Sequence, residues 1–313
     1  IIKIKQKNPS TFLGKGNLLR LKDIIIKYKI DLLIINNNLS PSQQRNLEKL
    51  LNIKVTDRSG IIIEIFSKRA STKESRLQVE LAELTYRKSR LVRAWTHLER
   101  QRGGTTFIGG PGELQIELDK RLIQSKIVRI KKRLVKVKAR RKIQRKSRLN
   151  SNFQTFALVG YTNAGKTKLF NKLTKKKQSS QNKLFETLDT KISKFYLNDH
   201  QVGIIDTVGF INNIPTQLIE SFHATLEEIN SANFIINVVD VNDINAHEKI
   251  LTTKRILKET GVSEDKISKM INVYNKIDLS NSNYKQTQNR IFISALTGEG
   301  IKNLKDSIER KLT

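Results

Sequence analysis

The stretch Gly160-Tyr161-Thr162-Asn163-Ala164-Gly165-Lys166-Thr167 decides the fold of the second half of this chain, because it fits the pattern G-x-x-x-x-G-K-[ST]. An apolar run from Phe156 to Val159 comes directly before it and predicts the strand that such a loop follows. The glycines let backbone N–H groups turn toward phosphates, Lys166 adds positive charge, and the Thr167 hydroxyl can bind magnesium. The stretch therefore predicts a phosphate-binding loop, the P-loop, that lines a nucleotide along its whole length, with Lys166 as a catalytic residue and Thr167 as a magnesium ligand.

Apolar runs alternate with helical patterns from residue 153 to the end, which predicts an α/β fold with a mostly parallel sheet. The predicted strands are 156–159, 192–197, 202–205, 234–239, 271–274 and 291–293. A last helix is predicted from Ile301 to Lys311. Residues 153–313 are therefore predicted to form a P-loop nucleotide-binding domain.

A D-x-x-G motif, Asp206-Thr207-Val208-Gly209, follows the third predicted strand. Its carboxylate can hold magnesium through a water molecule, and the Gly209 N–H can meet the γ-phosphate of a nucleoside triphosphate. We expect all four residues to line the nucleotide, with Asp206 in the metal site and Gly209 as a catalytic candidate.

Two later motifs indicate which base is bound. Asn275-Lys276-Ile277-Asp278 ends in a carboxylate that can accept both N–H donors on the edge of guanine, a pair that adenine does not present. Asn275 and the Lys276 stem would secure the loop and the base. Ser294-Ala295-Leu296, after the last strand, can offer a backbone N–H to the guanine oxygen. The motifs in this order predict a site for GTP with Mg²⁺ and for GDP.

A switch segment is expected between the P-loop and Asp206, at Phe185-Glu186-Thr187-Leu188-Asp189. Such a segment supplies a hydroxyl to magnesium only while the γ-phosphate is present. Thr187 is the preferred candidate, as a magnesium ligand and a catalytic residue, and Thr190 is the second choice. A loop threonine with neither role is the remaining alternative.

The residue after the D-x-x-G motif is Phe210, where Ras has the glutamine that orients the attacking water. A phenyl ring has no donor or acceptor for that task. We therefore expect slow intrinsic hydrolysis, with a partner or a mobile switch completing the site.

The net charge of +30 is concentrated in the first half of the chain. Residues 1–150 hold 37 Lys and Arg against 12 Asp and Glu, a balance of +25, which leaves 22 against 17, or +5, for the remainder. From Lys120 to Arg148 there are 15 Lys or Arg and no acid. Such a density favours a nucleic-acid partner, and a merely solvated basic face is the alternative.

Two segments are predicted before the nucleotide-binding domain. Residues 1–70 read as a small α/β unit, with a buried strand at 31–36 and a helix that starts at Ser40-Pro41 and runs to Leu51. Residues 71–150 read as two long basic helices, 71–100 and 113–148, joined by the glycine-rich stretch 103–112 into an antiparallel hairpin. Two interpretations of the glycines are open. Either they serve only to make the turn, or their lack of side chains lets the backbone of the loop approach RNA closely.

Composition excludes several classes of protein. There is no cysteine, so neither a disulfide framework nor a thiolate zinc site is possible. No apolar run approaches the roughly 20 residues that a membrane helix needs, and the start lacks the pattern of a secretory signal. We expect a cytoplasmic monomer without a membrane span.

Several stretches outside the P-loop resemble the HflX family of translational GTPases. These are Arg69-Ala70-Ser71-Thr72-Lys73-Glu74, Leu77-Gln78-Val79-Glu80-Leu81-Ala82, Gly109-Gly110-Pro111-Gly112-Glu113, Asp119-Lys120-Arg121, Asp206-Thr207-Val208-Gly209-Phe210-Ile211 and Thr225-Leu226-Glu227-Glu228. The resemblance implies a GTPase that binds the large ribosomal subunit and its RNA, with the hairpin reaching toward the peptidyl-transferase centre. Members of the family are associated with splitting or rescuing stalled ribosomes and some also hydrolyse ATP, so the resemblance implies these activities as expectations for this chain.

Two other functions remain open at this point. One is a nucleotide-regulated RNA-binding assembly factor in which turnover is incidental. The other is a signalling GTPase directed at proteins, which the basic first half disfavours. The salt dependence of partner binding distinguishes the signalling GTPase from the two RNA-binding functions, because binding dominated by phosphate contacts weakens steeply with ionic strength.

Overall fold

The computed structural model describes residues 7–91, 111–149, 153–175, 190–197, 200–211, 226–280, 284 and 290–312. The chain divides into two compact units. The first comprises Ile1–Lys68 and Leu77–Leu134, and the second comprises Arg69–Arg76 and Val135–Thr313. The predicted division into segments 1–70, 71–150 and 153–313 stays a prediction.

The N-terminal part of the first unit is a small α/β arrangement around a pair of parallel strands. Its elements are α1 Lys15–Tyr28, β1 Leu32–Ile35, α2 Pro41–Leu51, β2 Lys54–Asp57 and α3 Arg58–Arg69. Strands β1 and β2 pair in parallel, with Leu32 opposite Lys54. Helix α2 begins with a capping box, in which Ser40 Oγ accepts the Gln43 N–H while the Gln43 side chain accepts the Ser40 N–H. The predicted helix α2 and the predicted strand are present, and α1, β2 and α3 are additional. The strand is not buried as predicted, because Leu32 and Ile34 are 38% and 50% exposed and only Ile35 is buried.

The predicted antiparallel packing of two long helices is present in the first unit, which contains residues 77–91 of one helix and 111–134 of the other. Helix α4 spans Lys73–Leu91 and α5 spans Pro111–Leu149. Leu81 of α4 is buried in a cluster with Ile127 and Ile130 of α5. Further along α4, Lys88 Nζ donates to Gln124 Oε1 at 2.7 Å, so the numbering falls along α5 as it rises along α4. The predicted glycine-rich tip lies mostly outside the described residues, which resume at Pro111.

The basic character of α5 lies on its outer face. Ile127 and Ile130 are buried, whereas Arg129, Lys132 and Arg133 are exposed. A helix that buries one apolar stripe presents its other positions to solvent. The exposed face of α5 therefore carries several positively charged side chains.

The second unit is built on a six-stranded sheet in the order β4-β5-β3-β6-β7-β8. Its strands are β3 Thr155–Val159, β4 Lys191–Leu197, β5 His200–Asp206, β6 Phe234–Asp240, β7 Ile271–Asn275 and β8 Arg290–Ile293. Within the described strands of this sheet, β4 and β5 pair antiparallel and the other pairs are parallel. The mostly parallel α/β fold predicted from the sequence is confirmed, and the strands exceed their predicted bounds by one or two residues.

Helices cover this sheet. They are α6 Lys166–Thr174, α7 (described at 226–231), α8 Ala246–Glu259, α9 Glu264–Ser268 and α10 Ile301–Glu309. Phe156 and Leu158 of β3 lie in the buried core with Leu169 and Phe170 of α6 and Leu304 of α10. All five residues of β3 are buried, as expected of a central parallel strand.

The topology brings four loops to one edge of the sheet. The chain order reverses at β3, whose neighbours are β5 on one side and β6 on the other. In such sheets ligands bind outside the carboxyl ends of the strands at this switch point. The segments after β3, β5, β7 and β8 meet there. Among the described residues, no helix is long and apolar enough to cross a membrane.

Candidate guanine-nucleotide site

The P-loop runs from the end of β3 into the start of α6, and its two outer glycines are required by its shape. Gly160 has φ +132° and Gly165 has φ +94°, both in the region that favours glycine. A Cβ on Gly160 would lie 2.3 Å from the Val238 carbonyl oxygen, and one on Gly165 would lie 2.1 Å from Asn275 Nδ2. The loop therefore has this path only because both positions lack side chains.

Lys166 holds its charge inside the P-loop. Its side chain is 6% exposed, and its Nζ donates to the carbonyls of Gly160 at 3.0 Å and Tyr161 at 2.7 Å. Burial lowers the pKa of Lys166 to about 8, although the nearby Asp206 carboxylate works in the opposite direction. A buried ammonium at the N-terminus of a helix suits an anion such as a phosphate.

The two predicted magnesium ligands of the described chain are adjacent. Thr167 Oγ1 donates to Asp206 Oδ2 at 2.9 Å, and Asp206 is fully buried at the end of β5. A hydroxyl and a carboxylate are the oxygen donors that Mg²⁺ takes, and it usually completes its shell with water and substrate phosphates. The described residues contain no cluster of three His, Asp or Glu that could hold a metal ion by itself. The donor set thus fits an ion that arrives with a nucleotide.

The D-x-x-G segment is joined to the P-loop through the backbone. Phe210 N–H donates to Gly160 O at 3.0 Å, and Thr162 N–H donates to Phe210 O at 2.9 Å. A Cβ on Gly209 would lie 2.7 Å from Thr162 Cα and 2.9 Å from Lys166 Nζ. The close approach of the two loops therefore depends on glycine at position 209. Within the motif, the Thr207 hydroxyl turns inward and donates to the Leu158 carbonyl at 2.6 Å.

The ring of Phe210 lies in the protein interior. It is 2% exposed and is among the largest fully buried side chains of the described chain. The ring can therefore neither contact nor orient a water molecule at the nucleotide. The phenyl group is therefore held away from the surface on which a nucleotide would lie.

Asn275 links three of the predicted motifs. Its Nδ2 donates to the P-loop carbonyl of Ala164 at 2.8 Å, and its Oδ1 accepts the backbone N–H of Ala295 at 2.9 Å. The side chain is 2% exposed. It therefore holds the P-loop and the loop after β8 at a set separation.

The residues predicted to read the base are also fixed by their neighbours. Ser294 Oγ donates to Asp278 Oδ1 at 2.5 Å and accepts the Thr297 N–H at 3.0 Å. The Ser294 hydroxyl therefore fixes the orientation of the Asp278 carboxylate. Lys276 Nζ forms an ion pair with Asp240 Oδ2 at 2.7 Å. Asp278 itself is exposed, so a base can reach it.

The structure assembles most of the residues that the motifs single out. The P-loop, Asp206 to Gly209, Asn275 to Asp278 and Ser294 to Leu296 all meet at the carboxyl edge of the sheet. Ile277 begins a short 3-10 turn, and Leu296 is 61% exposed. The predicted switch residues Phe185, Glu186, Thr187, Leu188 and Asp189 lie outside the described residues, and Thr190 is described just before β4.

Sequence reasoning missed Asp240, which orients Lys276. Its only signal is its place as the last residue of β6, at the same edge of the sheet as the motifs. It also missed Lys172 of α6, whose Nζ donates to the Thr297 carbonyl at 3.1 Å and so ties the P-loop helix to the loop after β8.

Family models match three consecutive parts of the chain. Residues 1–67 match "GTP-binding GTPase N-terminal" and residues 69–148 match "GTP-binding GTPase Middle Region". Residues 155–276 match "50S ribosome-binding GTPase".

Curated relatives and a solved structure agree with these matches. GTPase HflX of Magnetococcus marinus is 44% identical over 99% of this chain and 72% of the relative, and GTPase HflX of Escherichia coli K12 is 38% identical over 99% and 74%. The crystal structure of a GTP-binding protein from the archaeon Sulfolobus solfataricus in complex with GDP has a TM-score of 0.53 at 25% identity, covering 99% of this chain and 88% of that one. The near full-length identity and the site geometry together show that this chain is a GTPase that belongs to the HflX family.

Proposed function

We propose that this protein binds the large ribosomal subunit through its RNA in the GTP state, and that it splits or rescues stalled ribosomes. The observation that carries the proposal is the exposed cationic face of α5, present in the same chain as an assembled guanine-nucleotide site. The match of residues 155–276 to a ribosome-binding GTPase model supports the choice of partner. A ribosomal partner also supports a cytoplasmic location.

RNA suits the α5 face because of its charge arrangement. Arg129, Lys132 and Arg133 are exposed on one stretch of helix, within a segment that holds no acidic residue from Lys120 to Arg148. Cations in a row release the counterions of a phosphate backbone when they bind it, and this release makes the affinity strongly salt-dependent. An arrangement without stacking aromatics favours contacts with the RNA backbone over reading of bases.

The described residues have separate roles in hydrolysis. Lys166 would offset the negative charge that develops on the transferred phosphoryl group, and the Gly209 N–H would meet the γ-phosphate. Thr167 and Asp206 would hold Mg²⁺, with Thr187 as the proposed third ligand; the ion neutralises phosphate charge when it is bound. Asp278 would select guanine, while the loop at Ser294 to Leu296 offers the base a backbone N–H.

The buried ring of Phe210 leaves the attacking water without a side chain at that position. Hydrolysis by the protein alone should therefore be slow, and the ribosome would complete the site. An arginine finger supplied by a partner gives an acceleration of about 10³–10⁵ in comparable enzymes.

The test measures GTP hydrolysis with and without purified large ribosomal subunits. The test variant carries Lys132→Glu and Arg133→Glu on α5, and the matched control carries Lys302→Glu and Lys311→Glu, an equal change of charge at exposed positions near the C-terminus. We expect stimulation in the wild type and the control but not in the test variant. Light scattering of intact ribosomes with GTP then reports splitting. Absence of stimulation in the wild type would overturn the proposal.

One observation favours a second function. Because Phe210 is buried, nucleotide could set only the conformation of an RNA-binding assembly factor while turnover stays incidental. In that case GTP would tighten binding to the large subunit although the subunit would not accelerate hydrolysis. The same experiment, with a binding measurement added, separates the two.

A further inference from the structure

A cation from α8 lies against the P-loop and has no part in the roles assigned above. Lys249, in the first turn of α8, places its Nζ 5.2 Å from the centre of the Tyr161 ring. The same ammonium forms an ion pair with Asp243. Asp243 is fixed in turn, because its Oδ1 accepts the Asn245 N–H at 2.9 Å. The ammonium is therefore held over the ring by a second contact.

Tyr161 occupies the point where the P-loop meets the D-x-x-G segment. Its carbonyl oxygen accepts from Lys166 Nζ at 2.7 Å. Its backbone lies opposite Phe210 in a parallel β-bridge. Its ring is 8% exposed. A shift of Tyr161 would therefore move the Lys166 ammonium and the segment after Gly209 together.

A cavity beside the loop gives Tyr161 room for such a shift. Its volume is about 160 Å³, and it is bounded by residues 161–164, by the end of β6, and by Lys249 and Thr253 of α8. Side chains next to open space lose packing contacts on that side. The cation above the ring adds a contact to those that hold Tyr161 in place.

We propose that Lys249 is a positioning residue for GTP hydrolysis, acting through the ring of Tyr161 to hold the P-loop and the D-x-x-G segment in register. The inference deepens the GTPase activity of this chain and does not depend on the ribosome as partner. Lys249 touches neither nucleotide nor metal in this role. Its effect passes through the Tyr161 carbonyl to Lys166 and through the bridge to Phe210.

The effect should appear in the chemical step more than in nucleotide binding. The Lys166 charge stabilises the transition state most, when negative charge is redistributed on the transferred group. A small displacement of a catalytic group costs far more in rate than in ground-state affinity. GDP lacks the γ-phosphate, so its affinity should fall less than the hydrolysis rate does.

The experiment measures single-turnover GTP hydrolysis and GDP affinity without ribosomes, so its failure is distinct from failure of the ribosome proposal. Lys249→Met keeps the aliphatic stem and removes the charge, while Lys249→Arg keeps a cation. Lys258→Met is the control, since Lys258 lies on the same helix in an exposed pair with Glu264. We expect the hydrolysis rate to fall about 5- to 30-fold in Lys249→Met, the rate equivalent of a partly buried cation–π contact. The arginine variant should recover most of this loss, and the control should match the wild type.

Tyr161→Leu combined with Lys249→Met tests the route of the effect. If Lys249 acts through the ring, the double variant should hydrolyse GTP no more slowly than Tyr161→Leu alone. The inference is overturned if Lys249→Met keeps the wild-type rate, if arginine and methionine lower the rate equally, or if the loss of rate equals the loss of GDP affinity. The last result would mean that Lys249 only stabilises the fold.

Discussion

Replacing Asn275 with alanine should loosen the nucleotide site as a whole, because this side chain joins two of its loops. In the structure its Nδ2 donates to the Ala164 carbonyl at 2.8 Å, and its Oδ1 accepts the Ala295 N–H at 2.9 Å. The side chain is 2% exposed, so water replaces neither bond easily. Asn275→Ala leaves one buried acceptor and one buried donor without their partner.

The magnitude follows from these two groups. A buried polar group that loses its partner costs about 1–3 kcal/mol, so the free energy of unfolding should fall by about 2–6 kcal/mol. GDP affinity should fall by at least about tenfold, which corresponds to ~1.4 kcal/mol, because the P-loop and the loop carrying the Ala295 N–H are no longer held together.

The assays are urea unfolding of the nucleotide-free protein and titration with a fluorescent GDP analogue. Asn272→Ala is the matched control on the same strand, since Asn272 Oδ1 accepts from Asn237 Nδ2 of the neighbouring strand β6 at 3.0 Å. The control should lose stability while keeping GDP affinity. An Asn275→Ala protein that unfolds at the wild-type urea concentration and binds GDP within about threefold of wild type would refute the reasoning.

Three further predictions follow from single contacts. Gly209→Ala should weaken GDP binding in the same titration by about 1–3 kcal/mol, because its Cβ would lie 2.7 Å from Thr162 Cα. GDP affinity should fall up to about tenfold per pH unit above pH 8, because phosphate binds the protonated form of Lys166, and the pKa of Lys166 in the free protein is about 8. Calorimetry in buffers of different ionisation enthalpy measures the proton uptake that accompanies GDP binding. Arg90→Met should lower the free energy of unfolding of the first unit by about 3–5 kcal/mol in urea, because it removes the guanidinium that pairs with Asp57 at 2.5 Å.

The two substitutions among these predictions each have a control and a contrary result. Gly16→Ala adds a Cβ where nothing lies within 4 Å and should keep GDP affinity; equal losses in the two variants would contradict the steric argument. Arg87→Met breaks only an exposed pair with Glu83 and should change stability by less than about 1 kcal/mol, so an equal effect at Arg90 would contradict the role of burial.

The lowered pKa of Lys166 also predicts how the free energy of unfolding changes with pH. The pKa of Lys166 in the folded protein is lowered by burial from its ordinary value of 10.5 to about 8, with Asp206 opposing the change. Between these two values the unfolded chain binds more protons, so the free energy of unfolding should rise with pH in that window. Lys166→Met should remove this rise, and a rise that persists in the variant would belong to another group.

Local patterns predicted which segments meet at the carboxyl edge of the sheet, because each motif is a short run of residue types at fixed spacing. The P-loop needs glycine at positions 160 and 165 because both residues have a positive φ. A requirement for glycine at a fixed position is visible directly in the sequence. The strands of the second unit were predicted to within two residues because buried parallel strands are short apolar runs. In the first unit the sequence does not predict β2, because its four residues are lysine, valine, threonine and aspartate and contain no apolar run.

The amino-acid sequence by itself determined the P-loop fold, the guanine-nucleotide motifs and the basic helices, because each depends on residue types at fixed spacing along the chain. Only the tertiary structure decided that Asn275 bridges two loops, that Phe210 is buried, and that Lys249 lies over Tyr161. The reason is physical: these contacts join residues from different strands and helices, and packing of the sheet, rather than spacing in the chain, brings them within a few ångströms of one another.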